Sequence, residues 1–136
     1  MNLNILMPID GTDDCKKTLQ VLKNMYNPET TQVTLMYVNT TLLYAGADLS
    51  EDKIRRSKLK SQGMLDDAAE FIAEFKPTEF YTVGYACEQI LKKSKENFDL
   101  IIMSKRGQSA LNRILLGSVT SKVVHNSAVS VLVVPR

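Results

Sequence analysis

Short apolar runs alternate with helix-patterned segments from one end of this chain to the other, and few folds accept that order. Strands are predicted at residues 3–9, 32–38, 79–83, 100–103 and 129–134, each bounded by turn or helix signals. Ile5-Leu6-Met7 and Val131-Leu132-Val133-Val134 are continuously apolar, as strands buried on both faces must be. Helices are predicted at residues 13–26, 51–75, 86–97 and 118–126. Strand followed by helix, repeated, implies an α/β fold: an open, twisted, mostly parallel five-stranded sheet with helices on both faces.

At 136 residues the chain suits one domain spanning residues 1–136, large enough for a core without disulfide or metal support. A net charge of +2, with no dense basic block interleaved with aromatics, argues against a nucleic-acid partner. The start, Met1-Asn2-Leu3-Asn4-Ile5-Leu6-Met7, lacks the charged and apolar regions of a signal peptide. No run approaches the roughly 18 apolar residues of a membrane span. A cytoplasmic location and no membrane partner are expected. Cys15 and Cys87 stand far apart and outside any metal-ligand pattern, so they read as packing thiols; His125, the single histidine, receives no role.

Thr12 is placed to cap the first helix, with Asp13 and Asp14 in its first turn where the macrodipole favours acids. The second helix is basic first (Lys53, Arg55, Arg56, Lys58, Lys60) and acidic later (Asp66, Asp67, Glu70, Glu74), which reads as a solvated face with internal pairing. Residues 39–50 form a long connection of the kind that serves as a lid.

In open parallel sheets, ligands bind outside the carboxyl ends of the strands where the strand order reverses. Asp10-Gly11-Thr12, Val38-Asn39 and the stretch 104–122 all follow strands and can meet there. Gly107 permits close backbone approach, and Gly117-Ser118 opens a helix whose first amides, at Ser118, Val119 and Thr120, have no internal partner. With the Ser118 and Thr120 hydroxyls they suit a polyphosphate. A simple turn at Gly117 and a cap at Ser118 would look the same in sequence. Neither a Walker loop nor a dinucleotide fingerprint is present.

Gly107, nine intervening residues and then Gly117-Ser118 resembles the end of the G-x-x-G-x9-G-[ST] signature of the universal stress protein family, in its ATP-binding branch. Residues 5–12 and 130–134 are similar to that family's pattern as well. The resemblance implies a Rossmann-like sheet of order 3-2-1-4-5. It implies that Asp10 and the backbone of Val38 hold adenine, that Pro8 and Ile9 line the same pocket, and that residues 103–107 and 117–120 surround ribose and phosphates. The site it assigns is thus Pro8, Ile9, Asp10, Val38, Met103, Ser104, Gly107, Gly117, Ser118, Val119 and Thr120. It also implies ATP as ligand, Mg2+ or Mn2+ on the phosphates, and a homodimer through the C-terminal strand. One position departs from the signature: Ser104 stands where its first glycine would be. Serine there can hydrogen-bond a ligand if the backbone is extended, and weakens binding if the position must be left-handed.

Three functions follow. The first is an adenine-nucleotide-binding regulator or sensor in stress response. The second is a dimeric interaction protein that binds no nucleotide. The third, a slow ATP hydrolase, ranks last, because the sequence shows no catalytic base, histidine–carboxylate pair or arginine finger.

Overall fold

The structure is a computed structural model that describes residues 2–44, 46, 49–105 and 116–135. Its elements run β1 (Leu3–Ile9), α1 (Asp13–Met25), β2 (Thr31–Asn39), α2 (Glu51–Phe71), β3 (Thr78–Val83), α3 (Ala86–Ser94), β4 (Leu100–Ser104), α4 (Ser118–Asn126) and β5 (Ser130–Val134). Short 3-10 turns follow β2 at Thr41–Tyr44 and α2 at Ala73–Phe75. All strand pairs are parallel and the order is β3-β2-β1-β4-β5.

Alternation along the strands divides the core in two. Ile5, Met7 and Ile9 of β1, Val33 and Leu35 of β2 and Ile102 of β4 face one side, where Leu19 and Leu22 of α1 and Leu65 and Ala68 of α2 cover them. Leu6, Met36, Ile101 and Met103 face the other side, against Ile90 of α3 and Val123 of α4. Because β1 is central and every residue from Ile5 to Met7 is fully buried, its sequence has to be apolar without a break.

Element ends differ from the sequence expectation where tertiary packing takes over. The predicted helix over 51–75 stops at Phe71, because Ile72 leaves helical angles (φ −115, ψ 36) and a tighter turn carries Phe75 into the core. Lys76 is then left-handed (φ 48) and Pro77 blocks any continuation. The predicted helix over 86–97 ends at Ser94, and left-handed Asn97 (φ 64) turns the chain so that the Asp99 amide donates to the Asn4 carbonyl. The 39–50 connection is part strand and part 3-10 turn, and Ala45, Ala47 and Asp48 lie outside the described residues, so a lid there is not described.

Asn39, only 1% exposed, ties this end of the sheet together. Its Nδ2 donates to Ser57 Oγ (2.7 Å) on α2 and to the Tyr81 hydroxyl (3.0 Å) on β3, and its Oδ1 accepts from the Thr41 amide (3.1 Å). Truncation would take a partner from the half-buried Ser57 and Tyr81 hydroxyls and from the Thr41 amide. Asn39→Ala is expected to lower stability by about 1–3 kcal/mol, read as a drop in the urea midpoint at unchanged slope.

Candidate functional site

The sheet order reverses beside β1. The chain leaves β1 for α1 on one face and leaves β4 for α4 on the other, so the carboxyl ends of these neighbours open a crevice. The β1–β4 pairing runs only through Leu6↔Ile101, two residues before Pro8, which has no N–H to add a rung. On the other side, β2 continues past the last β1 pair, Ile9↔Tyr37, through Val38 and Asn39. A cavity of about 270 Å3 fills this gap, near the lower bound of roughly 300–1,000 Å3 usual for ligand pockets.

Pro8, Ile9 and Asp10 from the end of β1, Val38 from β2, Met103 and Ser104 from β4, and Val119 and Thr120 from α4 all line the cavity. Gly117 and Ser118 open α4 immediately beside it without forming its wall. Gly107 lies outside the described residues. Sequence reasoning missed Met36, Tyr37, Thr40, Ala86 and Ile90, which complete the walls. For Ala86 and Ile90 no local signal existed, because α3 is brought there only by packing.

Asp10 is held by its own turn. Its Oδ1 accepts from the Thr12 amide (3.0 Å), the Thr12 hydroxyl (2.6 Å) and the Cys15 thiol (2.9 Å), while Cys15 Sγ accepts from the Asp10 amide (3.1 Å). Thr12 occupies the N-cap position as expected, but its side chain makes no cap; the hydroxyl serves Asp10 instead. Gly11 is left-handed (φ +78), and Met64 of α2 packs where a Cβ would project. The left-handed backbone favours glycine, and any larger residue would also have to displace the Met64 thioether.

Cys15 is more than packing. Burial, reinforced by the charge and hydrogen bond of Asp10, pushes its thiol from 9.0 up to about 12, so it stays a donor through neutral pH. Tyr37, a wall residue, is likewise pushed up, first by burial and further by the charge of Asp10, against an opposing hydrogen bond from Ser61.

At β4, Ser104 is the last strand residue, paired with Val134, and it is absent from the positive-φ positions. The serine thus costs no backbone strain, and the extended alternative weighed from sequence holds. Its carbonyl accepts from the Thr120 hydroxyl at 2.9 Å. That hydroxyl proton, expected from sequence to face a phosphate, is engaged within the chain. The Lys105 amide donates to the Val134 carbonyl (2.8 Å), and the Gly117 amide donates to the Lys105 carbonyl (2.9 Å). Gly117 itself has an ordinary φ of −59. The first α4 hydrogen bond, from the Ser121 amide to the Gly117 carbonyl, leaves the Ser118, Val119 and Thr120 amides pointing out of the helix start.

Chemically the cavity offers apolar walls for a flat ring, one carboxylate as acceptor and a helix start for an anion. Asp10 is the only carboxylate among the described wall residues, and none of these is histidine, lysine or arginine. A larger depression of about 460 Å3 lies at the amino ends of the strands, around Asn4, Thr31 and Lys76; no residue of the sequence-predicted site reaches it.

The buried thiol is directly testable. At pH 8 alkylation should label Cys87 well before Cys15, and Asp10→Asn, by removing the charge and acceptor that raise Cys15, should speed labelling of Cys15 severalfold in the folded protein. Linkage gives the stability effect its sign: a thiol raised in the native state favours folding below pH 9 and loses that contribution as pH climbs toward 12. Melting temperature should therefore fall more steeply above pH 9 in the parent than in Cys15→Ala.

Known proteins agree with this architecture. The chain is 28% identical over 144 residues to the universal stress protein YxiE of Bacillus subtilis, covering 96% of this chain and 97% of that one. The solved structure of MJ0577, a protein of Methanocaldococcus jannaschii, superposes with a TM-score of 0.88 at 26% identity, over 100% of this chain and 97% of the other. A universal stress protein family protein of Arabidopsis thaliana, solved with AMP bound, shares the fold with a TM-score of 0.72 at 16% identity, over 98% and 92% of the two chains. The family model described as "Universal stress protein family" matches residues 1–135, and this chain belongs to that family.

Proposed function

We propose that this chain is one universal stress protein domain that binds an adenine nucleotide, ATP with Mg2+ or Mn2+ on its phosphates, and serves as a stress-response regulator or sensor in the cytoplasm. The observation that carries the reading is the convergence, in one crevice, of the anchored Asp10 carboxylate and the outward amides of α4. The AMP bound to the Arabidopsis relative supports the ligand class.

On this reading adenine lies between the apolar walls at Ile9, Val38, Met103 and Ile90, its exocyclic amine donating to Asp10 or to a main-chain acceptor at Val38. The phosphates extend toward Gly117 and the amides of Ser118, Val119 and Thr120, where the helix start favours negative charge. Ser104 adds a hydroxyl near the ribose. The metal ion, which neutralises phosphate charge, is held by phosphate oxygens and water, since the described walls supply one carboxylate. No partner nucleic acid or membrane belongs to this reading; none of the described helices is long and apolar enough to span a bilayer.

A homodimer through β5 completes the proposal. Among the described residues that strand pairs with β4 alone, and its Val131, Leu132 and Val133 are half-buried. An apolar edge of this kind associates unless covered, and pairing with the same strand of a second copy about a two-fold axis covers both.

Calorimetry should show saturable binding of ATP in the presence of magnesium, and GTP should bind less well. Guanine presents a carbonyl oxygen where adenine presents an amine, and two facing acceptors cost about 1–3 kcal/mol, or roughly 5- to 150-fold in affinity. No heat with ATP at millimolar concentration would overturn the reading, and equal affinities would remove Asp10 as a base reader. Gly117→Val, compatible with the local φ, should leave the fold intact and weaken ATP binding at least tenfold by crowding the phosphate side. Sedimentation equilibrium in about 0.5 M salt, where surface charge pairs are screened, should give a dimer mass at micromolar concentration that Val133→Lys converts to monomer.

A further inference from the structure

Helix α2 carries a surface that neither the crevice nor the core explains. Over 21 residues it buries only Ser61, Leu65 and Ala68. On the face turned away from these, Leu59 is 63% exposed, and one turn later Gly63 sits where an added Cβ would meet nothing within 4 Å. A mid-helix glycine costs about 1 kcal/mol against alanine, and no contact among the described residues calls for it.

The charges around this pair reverse sign. Arg55 and Arg56 lie before it, both bonded to Asp52 (2.9 and 2.7 Å), and Asp66 and Asp67 lie after it. Acids in the second half of a helix with no basic residue in its last turn oppose the macrodipole. Across from α2 on β3, the carboxyl of Glu79 is held above its usual value, first by burial and then by the neighbouring Asp66. Among the described residues no cation pairs with Asp66, Asp67 or Glu79. Within one copy the arginines are balanced by Asp52 alone, and the later acids have no cation among the described residues.

Two copies resolve it. When a second α2 is laid antiparallel with its Leu59 over Gly63 of the first, the two-fold axis falls level with Ser61. Arg55 then meets Asp66 of the second copy on one flank, and Arg56 meets Asp67 on the other. The missing side chain at position 63 makes room for the leucine, and each contact is made twice, as an isologous interface requires. We propose that the outward face of α2 is a self-association surface on which a second copy of this chain docks antiparallel, Leu59 on Gly63 and Arg55-Arg56 on Asp66-Asp67. It lies toward the β3 edge of the sheet, opposite β5, and does not depend on nucleotide binding or on a β5 dimer.

Charge exchange tests this. Two variants, Arg55→Asp/Arg56→Asp and Asp66→Arg/Asp67→Arg, are each followed by sedimentation velocity with circular dichroism to establish folding. The parent should self-associate in low salt and lose that association at roughly 0.5 M salt, where screening extends only a few ångströms. Each variant alone should associate at least tenfold more weakly than the parent, and an equimolar mixture should recover heteromeric association. Gly63→Leu should block association with its charges untouched. A folded pair of variants that ignore each other on mixing, or a parent whose mass is indifferent to both substitutions and salt because the face serves another partner or only solvent, would overturn the proposal.

Discussion

The candidate site hangs on how β1 ends. A carboxylate at the mouth of a crevice is useful only if it keeps its direction, and a free aspartate at a strand end would swing among rotamers. Here Oδ1 gathers three donors from residues within five positions, and the thiol that donates also accepts from the Asp10 amide. Side chain and main chain are thus cross-braced by one sulfur. Because these bonds are local to the β1–α1 turn, they orient the Asp10 carboxylate from its own loop, while α3 and α4 supply walls and amides.

The strand parity explains why the walls differ in character. Residues of odd number in β1 and β2, such as Ile9 and Tyr37, point toward α1 and α2, where Ser61, Ser57 and Asn39 build a polar layer; Met36, Val38 and Met103 point toward α3 and α4 into apolar packing. A planar aromatic ligand sitting across the crevice would meet aliphatic and thioether surface on the α3 side and hydrogen-bonding groups at the sheet end. The two layers come from a period of two in the sequence and nothing more.

Much of this was legible in the chain before folding. All five strands and four helices follow from apolar periodicity, and the placement of Asp10, Val38 and Ser104 at strand ends follows from strand boundaries. What periodicity could not reveal depends on contacts across the fold. The break at Ile72 reflects where the core lies. Ala86 and Ile90 reach the crevice because α3 packs beside α4, and the Thr120 hydroxyl is engaged because Ser104 arrives beneath it. Cys15 was the nearest miss: the spacing from Asp10 was visible, but its meaning required knowing that the helix begins so tightly after the strand.

The clasp between Lys105, Val134 and Gly117 bears on how this family site can change over time. Residues 105 and 117 are already joined, carbonyl to amide, and the first of them is zipped to the final strand. The end of β4 and the start of α4 are thus held to each other and to the sheet by main-chain hydrogen bonds of their own. For any flexible loop between fixed ends, doubling the length costs only about 0.6 kcal/mol in closure entropy. A change of chain length between these two fixed points is therefore inexpensive for the fold, and the sheet, the anchored aspartate and the helix start keep their own bonds.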